Sequence, residues 1–120
     1  MTLAQQRGQA AENAALVYLR QRGLVFCARN VRYRVGELDL IMRDGSTIVF
    51  VEVRYRSPSR FGGALGTVHA TKQRRLIRAA QCWLQQHCRA MIPACRFDVV
   101  AQDGKSIRWV RDAFMASGVL

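Results

Sequence analysis

Two acidic residues stand in stretches that otherwise have the character of buried β-strands. Asp39 lies within residues 36–42, and Glu52 lies within residues 48–53, which are β-branched or aromatic apart from this one residue. A continuous apolar run of this kind is typical of a strand buried on both faces. A carboxylate there is costly to desolvate unless a cation or hydrogen bonds meet it. Because Mg²⁺ is commonly held by one or two carboxylates together with substrate phosphates, the pair is suited to phosphate chemistry.

Strand geometry predicts which side chains accompany the two acids. Side chains alternate between the faces of a strand with a period of two. On the first strand Asp39 should therefore share a face with Ile41, with Leu38 on the opposite face. On the second strand Glu52 should share a face with Phe50.

The turn between the two strands decides whether the acids meet. The dipeptide Asp44-Gly45 is a hairpin signal. A loop with an even number of residues places Asp39 and Glu52 on the same face: directly opposite with four residues, and diagonally, about 7–8 Å apart, with two. An odd loop separates them. Two like charges side by side destabilise a sheet unless a positive group lies between them, and either Arg54 or a divalent cation with oxygen ligands would serve.

The spacing of these residues resembles a nuclease motif. Asp39, followed after twelve residues by Glu52-Val53-Arg54, is similar to the PD-(D/E)xK motif with its last position changed. The segments GELDLI and VFVEVRYR resemble the YraN-like family of bacterial proteins, which has a restriction-endonuclease-like fold and is related to archaeal Holliday-junction resolvases. The resemblance covers about residues 8–100 and includes an early Gly-x-x-x-Glu helix, the pair Arg29-Asn30, Lys72 and residues 96–100.

This resemblance implies a fold, an activity and a set of site residues. It implies an α/β fold with a mixed central sheet flanked by helices, formed by residues 1–120 as a single endonuclease-like domain. It implies a metal-dependent endonuclease that hydrolyses DNA phosphodiester bonds, including those of branched DNA. Mg²⁺ or Mn²⁺ would be held by Asp39, Glu52 and the carbonyl of Val53, and Arg54 would stabilise the transition state. A homodimer is expected by analogy alone.

Glu12 is a candidate third acid. Residues 8–22 predict a helix that ends at Gly23. On a helical wheel Glu12 lies near Leu16 and Leu19, so it should face inward toward the two strand acids. The resemblance supports that interpretation, since related nucleases carry a glutamate on this helix. The alternative is a partly exposed acid at the helix start, where the helix dipole favours negative charge.

Arg54 departs from the motif, which has lysine at this position. The motif lysine orients or activates the attacking water, and an arginine is not deprotonated in proteins, so Arg54 is not a general base. Three interpretations follow. Arg54 acts as an electrostatic clamp, or Lys72 reaches in from a following helix in place of the motif lysine, or the domain binds nucleic acid without cutting it.

The charge balance points to nucleic acid. The net charge is +11 with a pI of about 11.0, and all but two of the 19 basic residues are arginine. An excess of this size favours a phosphate-backbone partner, and arginine forks suit phosphate. Thr71 predicts the start of a helix that runs to about Cys88. The first turns of this helix are basic, although the helix dipole disfavours cations there. This arrangement favours a phosphate partner over a merely solvated face. The predicted nucleic-acid-binding residues are Arg34, Arg56, Arg60, Lys72, Arg74, Arg75 and Arg78.

Other parts of the chain set the context. Residues 57–69 form a glycine-containing loop that is interpreted as a flap over the nucleic acid or as a plain connector. Strands are expected at residues 24–33, 95–100 and 106–111, with Asp98 either near the acids or paired with an arginine. The four cysteines lack a standard zinc spacing, so free thiols are expected.

Localisation and the alternative classes are inferred from what the sequence lacks. No run of 18 apolar residues and no signal peptide is visible, which predicts a cytoplasmic protein with no membrane partner. A non-catalytic nucleic-acid-binding module on a nuclease fold is the main alternative, with the acids paired to arginines. A basic membrane-surface protein is weaker, because no suitable amphipathic helix stands out.

Overall fold

The described residues form two helices and five strands. The computed structural model describes residues 1–56 and 69–115. The side chain of Arg56, residue Arg60 and the expected flap at 57–68 lie outside the described residues. The elements are α1 (Leu3–Gln21), β1 (Val25–Tyr33), β2 (Gly36–Asp44), β3 (Thr47–Arg56), α2 (Ala70–His87), β4 (Cys95–Asp103) and β5 (Ser106–Phe114).

The strands form one mixed sheet in the order β1-β2-β3-β4-β5. All neighbouring strands are antiparallel except β3 and β4, which run parallel. A parallel pair requires a crossover connection, and α2 lies between β3 and β4 in the chain, as in a βαβ unit. A mixed central sheet flanked by helices is the predicted architecture, and it is consistent with a restriction-endonuclease-like fold.

The helix α1 is longer than the sequence predicts. It begins at Leu3 rather than residue 8, because Thr2 and Gln5 form a capping box that satisfies the first backbone N–H groups. Its end is as predicted. Gly23 has φ +94°, and the N–H groups of Gly23 and Leu24 donate to carbonyls of the last turn, which is the Schellman arrangement.

The hairpin turn between β2 and β3 is centred one residue later than the sequence predicts. Its two turn residues are Gly45 and Ser46, and Asp44 pairs with Thr47. Gly45 has φ +62°, which the first position of a type II′ turn requires. Continued one position beyond the last ladder pair, Leu40–Val51, this register brings Asp39 level with Glu52. The expectation that a two-residue loop leaves them diagonal is therefore wrong.

Each face of the sheet carries its own core. On one face α1 packs against Leu40, Met42, Val49, Val51 and Val100. On the other face α2 packs against Ile41, Ile48, Phe50 and Phe97. The predicted apolar stripe of α2 is confirmed, since Leu76, Ala80, Trp83 and Leu84 are all buried in that core.

Strand alternation breaks beside Asp39. Leu38 packs in the α2 core with Ile41, although a regular strand would place these two side chains on opposite faces. The ladder between β2 and β3 ends at the pair Leu40–Val51, and Asn30 in the neighbouring strand has φ +52°. The irregular backbone lets β2 diverge from β3 at this point, so the prediction that Leu38 opposes Ile41 is wrong.

The start of α2 approaches β2 closely. Its N-cap is His69 rather than the predicted Thr71, and no side chain caps it. A Cβ atom added at Gly36 would lie 2.6 Å from the carbonyl oxygen of Arg75. Glycine is required here because a larger residue would push the first turns of α2 away from the strand.

Candidate active site

Asp39 and Glu52 form a buried pair of carboxyl groups. The two groups lie within hydrogen-bonding reach of one another, and the backbone N–H of Val53 donates to Oδ2 of Asp39 at 2.9 Å. Burial, together with the neighbouring charge of Glu52, raises the pKa of Asp39 to about 8. Asp39 therefore keeps its proton to a higher pH than an ordinary aspartate, and groups with such a raised pKa are frequent in functional sites.

Lys72 reaches the acid pair from α2. Its Nζ atom lies 3.4 Å from Oε1 of Glu52, whose side chain is only 6% exposed. The lysine side chain itself is 59% exposed, so it runs along the surface and points its ammonium group inward. One of the three sequence-based interpretations of Arg54 was that Lys72 reaches in from α2 in place of the motif lysine. In the structure Lys72 lies beside the acids.

A cavity of about 440 Å³ opens at the pair. It lies between β2, the end of β3 and the first turns of α2. One wall carries the acids and the facing wall carries positive charge and polar groups. The residues that line it are Gly36, Glu37, Asp39, Glu52, His69, Thr71, Lys72, Arg75 and Leu76. His69 and Thr71 were not predicted as site residues, because only the close packing of α2 on Gly36 brings them here.

Glu12 is oriented by an arginine. It lies midway along α1, so the proposed explanation by a helix-start dipole does not apply. Nη2 of Arg29 lies 3.2 Å from Oε1 of Glu12. Burial raises the pKa of Glu12 and the charge of Asp39 adds to that effect, whereas the hydrogen bond from Arg29 opposes it. The charge of Asp39 therefore acts on Glu12, while Arg29 holds the Glu12 side chain as its counterion.

Arg54 follows Glu52 by two positions and is only partly buried. It lies opposite Ala101 in the ladder between β3 and β4. By alternation its side chain leaves the sheet on the α2 face, as Glu52 does.

The acids fit a small hard cation. In residues 1–56 and 69–115, no three His, Cys, Asp or Glu side chains converge to form a complete metal site. Mg²⁺ needs only one or two carboxylates when water and substrate phosphate supply its remaining ligands. The buried Asp39 carboxyl group, whose pKa is raised by burial and by the neighbouring Glu52, is the kind of group that a divalent cation would stabilise in its charged form.

The predicted basic residues of the described chain lie at two places. Arg34 and Arg75 line a second cavity beside the acids. Arg74 and Arg78 are exposed on α2, and Nη2 of Arg74 donates to Oγ1 of Thr71 at 3.3 Å.

Asp98 is a structural acid rather than a fourth site acid. It is fully buried, and its carboxylate accepts hydrogen bonds from Nε of Arg96, Nε1 of Trp109 and the backbone N–H of Asp112. The interpretation that it pairs with an arginine is confirmed.

The remaining sequence expectations concern cysteine and the membrane. Cys27, Cys82, Cys88 and Cys95 are all free thiols, as expected. Among the described residues, neither helix has the length and apolar character needed to cross a membrane.

Comparison with known proteins identifies close relatives. The family model described as "Uncharacterised protein family UPF0102" matches residues 11–101. The chain is 52% identical over 108 residues to a UPF0102 protein of Shewanella halifaxensis, covering 90% of this chain and 94% of that protein. It is 50% identical over 115 residues to a UPF0102 protein of Janthinobacterium, covering 96% and 92%. It is 57% identical over 111 residues to a UPF0102 protein of Ralstonia nicotianae, covering 89% and 85%.

Proposed function

The chain belongs to the UPF0102 family, the YraN-like family that its motifs resemble, and we propose that it is a metal-dependent endonuclease acting on DNA. The observation that carries this proposal is the buried contact between Asp39 and Glu52, with Lys72 at 3.4 Å from Glu52. Two acids and a lysine at one cavity are the charge set of the PD-(D/E)xK motif that the sequence resembles. The net charge of +11 supports a nucleic-acid partner.

Asp39 and Glu52 would hold Mg²⁺ or Mn²⁺, with the Val53 carbonyl as a further ligand. The bound metal would supply a Lewis acid for the scissile phosphate and lower the pKa of a coordinated water. The hydrogen bond from the Val53 N–H fixes the orientation of the Asp39 carboxylate at the opening of the cavity. Glu12, held by Arg29, adds negative potential and would contact the metal directly or through water.

Lys72 takes the role of the motif lysine in this proposal. Its ammonium group lies 3.4 Å from Glu52, whereas the motif position carries Arg54. Lys72 would orient the attacking water or donate to a non-bridging phosphate oxygen. Arg54 would act as a second positive group near the developing charge, which a guanidinium can do without losing its proton.

The test is cleavage of branched and linear DNA in the presence of Mg²⁺ or Mn²⁺. Asp39→Ala and Glu52→Ala should each abolish metal-dependent cleavage. Asp44→Ala, which removes an acid of the same strand that lines neither cavity, serves as the matched control. Cleavage that persists in both acid variants would refute the proposal.

A separate variant pair tests the role of Lys72. Lys72→Ala should lower the cleavage rate by about 10²–10³-fold, the cost of losing one preorganised donor. Adding Arg54→Lys to Lys72→Ala should recover part of that rate. Lys105→Ala is the control, because it removes the same charge elsewhere in the protein. Full activity in Lys72→Ala with no gain from Arg54→Lys would remove Lys72 from the mechanism.

One observation favours a second candidate function, a non-catalytic nucleic-acid-binding module. Glu52 already has Lys72 as a counterion, and Asp39 already has a backbone donor, so both acids have partners within the protein. In that case DNA would bind without metal uptake. A homodimer and a cytoplasmic location stay predictions of the sequence.

A further inference from the structure

A second cavity, here called the arginine cavity, lies beside the acid pair. Its volume is about 440 Å³, similar to that of the acid cavity. It is formed where β1 turns into β2 and where the first turns of α2 pass over that turn. The residues that line it are Arg32, Tyr33, Arg34, Val35, Gly36, Glu37 and Arg75.

The two cavities share one wall. Gly36, Glu37 and Arg75 line both of them. At Gly36 the backbone of β2 lies against α2, since a Cβ atom there would meet the Arg75 carbonyl oxygen at 2.6 Å. Because the two cavities share these three residues, a nucleic-acid backbone that places one phosphate at the acids would bring a neighbouring phosphate to the arginine cavity.

The charge in the arginine cavity is strongly positive. Three guanidinium groups face a single carboxylate there. Nε of Arg32 lies 3.3 Å from Oε1 of Glu37, so this pair is internally compensated. Within residues 1–56 and 69–115, neither Arg34 nor Arg75 forms an ion pair, and both are exposed. These two guanidinium groups are available to an external anion.

We propose that the arginine cavity binds the backbone phosphate next to the scissile phosphate, through Arg34 and Arg75. This inference rests on the proposed function, because the acid cavity defines which phosphate is cleaved. Arg32, held by Glu37, shapes the cavity rather than supplying net charge. The consequence is a substrate requirement: cleavage needs a charged phosphate on this side of the scissile bond.

The first test measures the salt dependence of DNA binding in EDTA, where no cleavage occurs. The probe is a fluorescein-labelled linear duplex, and the readout is fluorescence anisotropy over a range of salt concentrations. Each phosphate contact contributes about 0.9 to the slope of log affinity against log salt, which is about eightfold in affinity at 0.1 M. Arg34→Gln and Arg75→Gln should each lower the slope by about that amount.

The control is Arg89→Gln. Arg89 is exposed and follows the C-terminal end of α2, which lies about 18 Å along the helix from Arg75. Arg89→Gln removes the same charge from the protein far from both cavities, so the salt slope of this variant should match that of the wild type. Equal slopes in all four proteins would overturn the subsite and leave the proposed endonuclease intact. Wild-type protein that binds DNA neither in EDTA nor with Mg²⁺ present would refute both.

The second test locates the phosphate. A single neutral methylphosphonate linkage is placed next to the cleaved bond, on either side in separate substrates. Cleavage by the wild type should fall for one of the two substrates, and Arg34→Gln should show no further loss with that substrate because the contact is already absent. If the neutral linkage and Arg34→Gln each lowered the cleavage rate and their effects multiplied, Arg34 would act elsewhere and the proposal would be overturned.

Discussion

Replacing Asp39 by asparagine should stabilise the metal-free protein at alkaline pH. The pKa of Asp39 is raised from 3.8 to about 8 because the group is buried next to Glu52. The folded protein therefore binds more protons than the unfolded chain between about pH 4 and pH 8. The contribution of Asp39 to the free energy of unfolding is therefore fully present below that pH window, and it is lost as the pH rises through the window. Asparagine carries no charge and can still accept the hydrogen bond from the Val53 N–H.

The magnitude follows from the pKa. At pH 8 the raised pKa of Asp39 costs about 1.4 kcal/mol for each of the about four pH units above the ordinary pKa of an aspartate, which gives about 6 kcal/mol as an upper limit. The pKa of about 8 already includes the opposing attraction of Lys72. We expect Asp39→Asn to raise the free energy of unfolding by about 1–4 kcal/mol at pH 8 and to change it little at pH 4.

The assay is urea unfolding in EDTA at pH 4, 6 and 8. Glu37→Gln is the control, because Glu37 lies on the same strand but is half-exposed and paired with Arg32. Saturating Mg²⁺ at a hundred times its Kd should stabilise the wild type by about 2.7 kcal/mol and the asparagine variant much less. Parallel stability curves for wild type and Asp39→Asn across this pH range would refute the account of the acid pair.

Two further predictions concern stability alone. Gly36→Ala should lower the free energy of unfolding by about 1–3 kcal/mol, because its Cβ would lie 2.6 Å from the Arg75 carbonyl oxygen. Gly8→Ala, in open space on α1, should raise it by up to about 1 kcal/mol. Equal effects of the two variants in denaturant unfolding would contradict the close packing at Gly36. Asp98→Ala should cost about 3–5 kcal/mol by leaving its buried donors, including Nε1 of Trp109, without an acceptor; a loss under 1 kcal/mol in the same assay would show that Asp98 is not a structural anchor.

Local sequence signals predicted the elements and their packing faces well. The glycine after α1, the apolar stripe of α2 and the two strands that carry the acids were all recognisable, because each depends on residues close in sequence. The resemblance to the YraN-like family predicted the mixed sheet, which local patterns do not specify. The order of strands is a property of long-range pairing.

Features that depend on irregular backbone were not predictable. The turn at Gly45 and Ser46 is shifted by one residue from the Asp44-Gly45 signal, and the register that results brings Asp39 level with Glu52. The break in alternation at Leu38 arises where β2 leaves β3, and strict periodicity does not show such a break.

Contacts between distant parts of the chain were only partly predictable. The pairing of Glu12 with Arg29 joins a helix to a strand, and nothing in the spacing of either residue indicates it. The approach of Lys72 to Glu52 was one of several interpretations of the changed motif, and only the packing of α2 against Gly36 selects it.

The most direct test of the central claim is a calorimetric titration with Mn²⁺ or Mg²⁺, performed on wild type and Asp39→Ala with branched or linear DNA present. The account predicts metal uptake by the wild type, loss of that uptake in Asp39→Ala, and cleavage of at least one DNA only where metal binds. DNA binding without metal uptake would contradict it, and would make Asp39 and Glu52 structural acids of a nucleic-acid-binding domain.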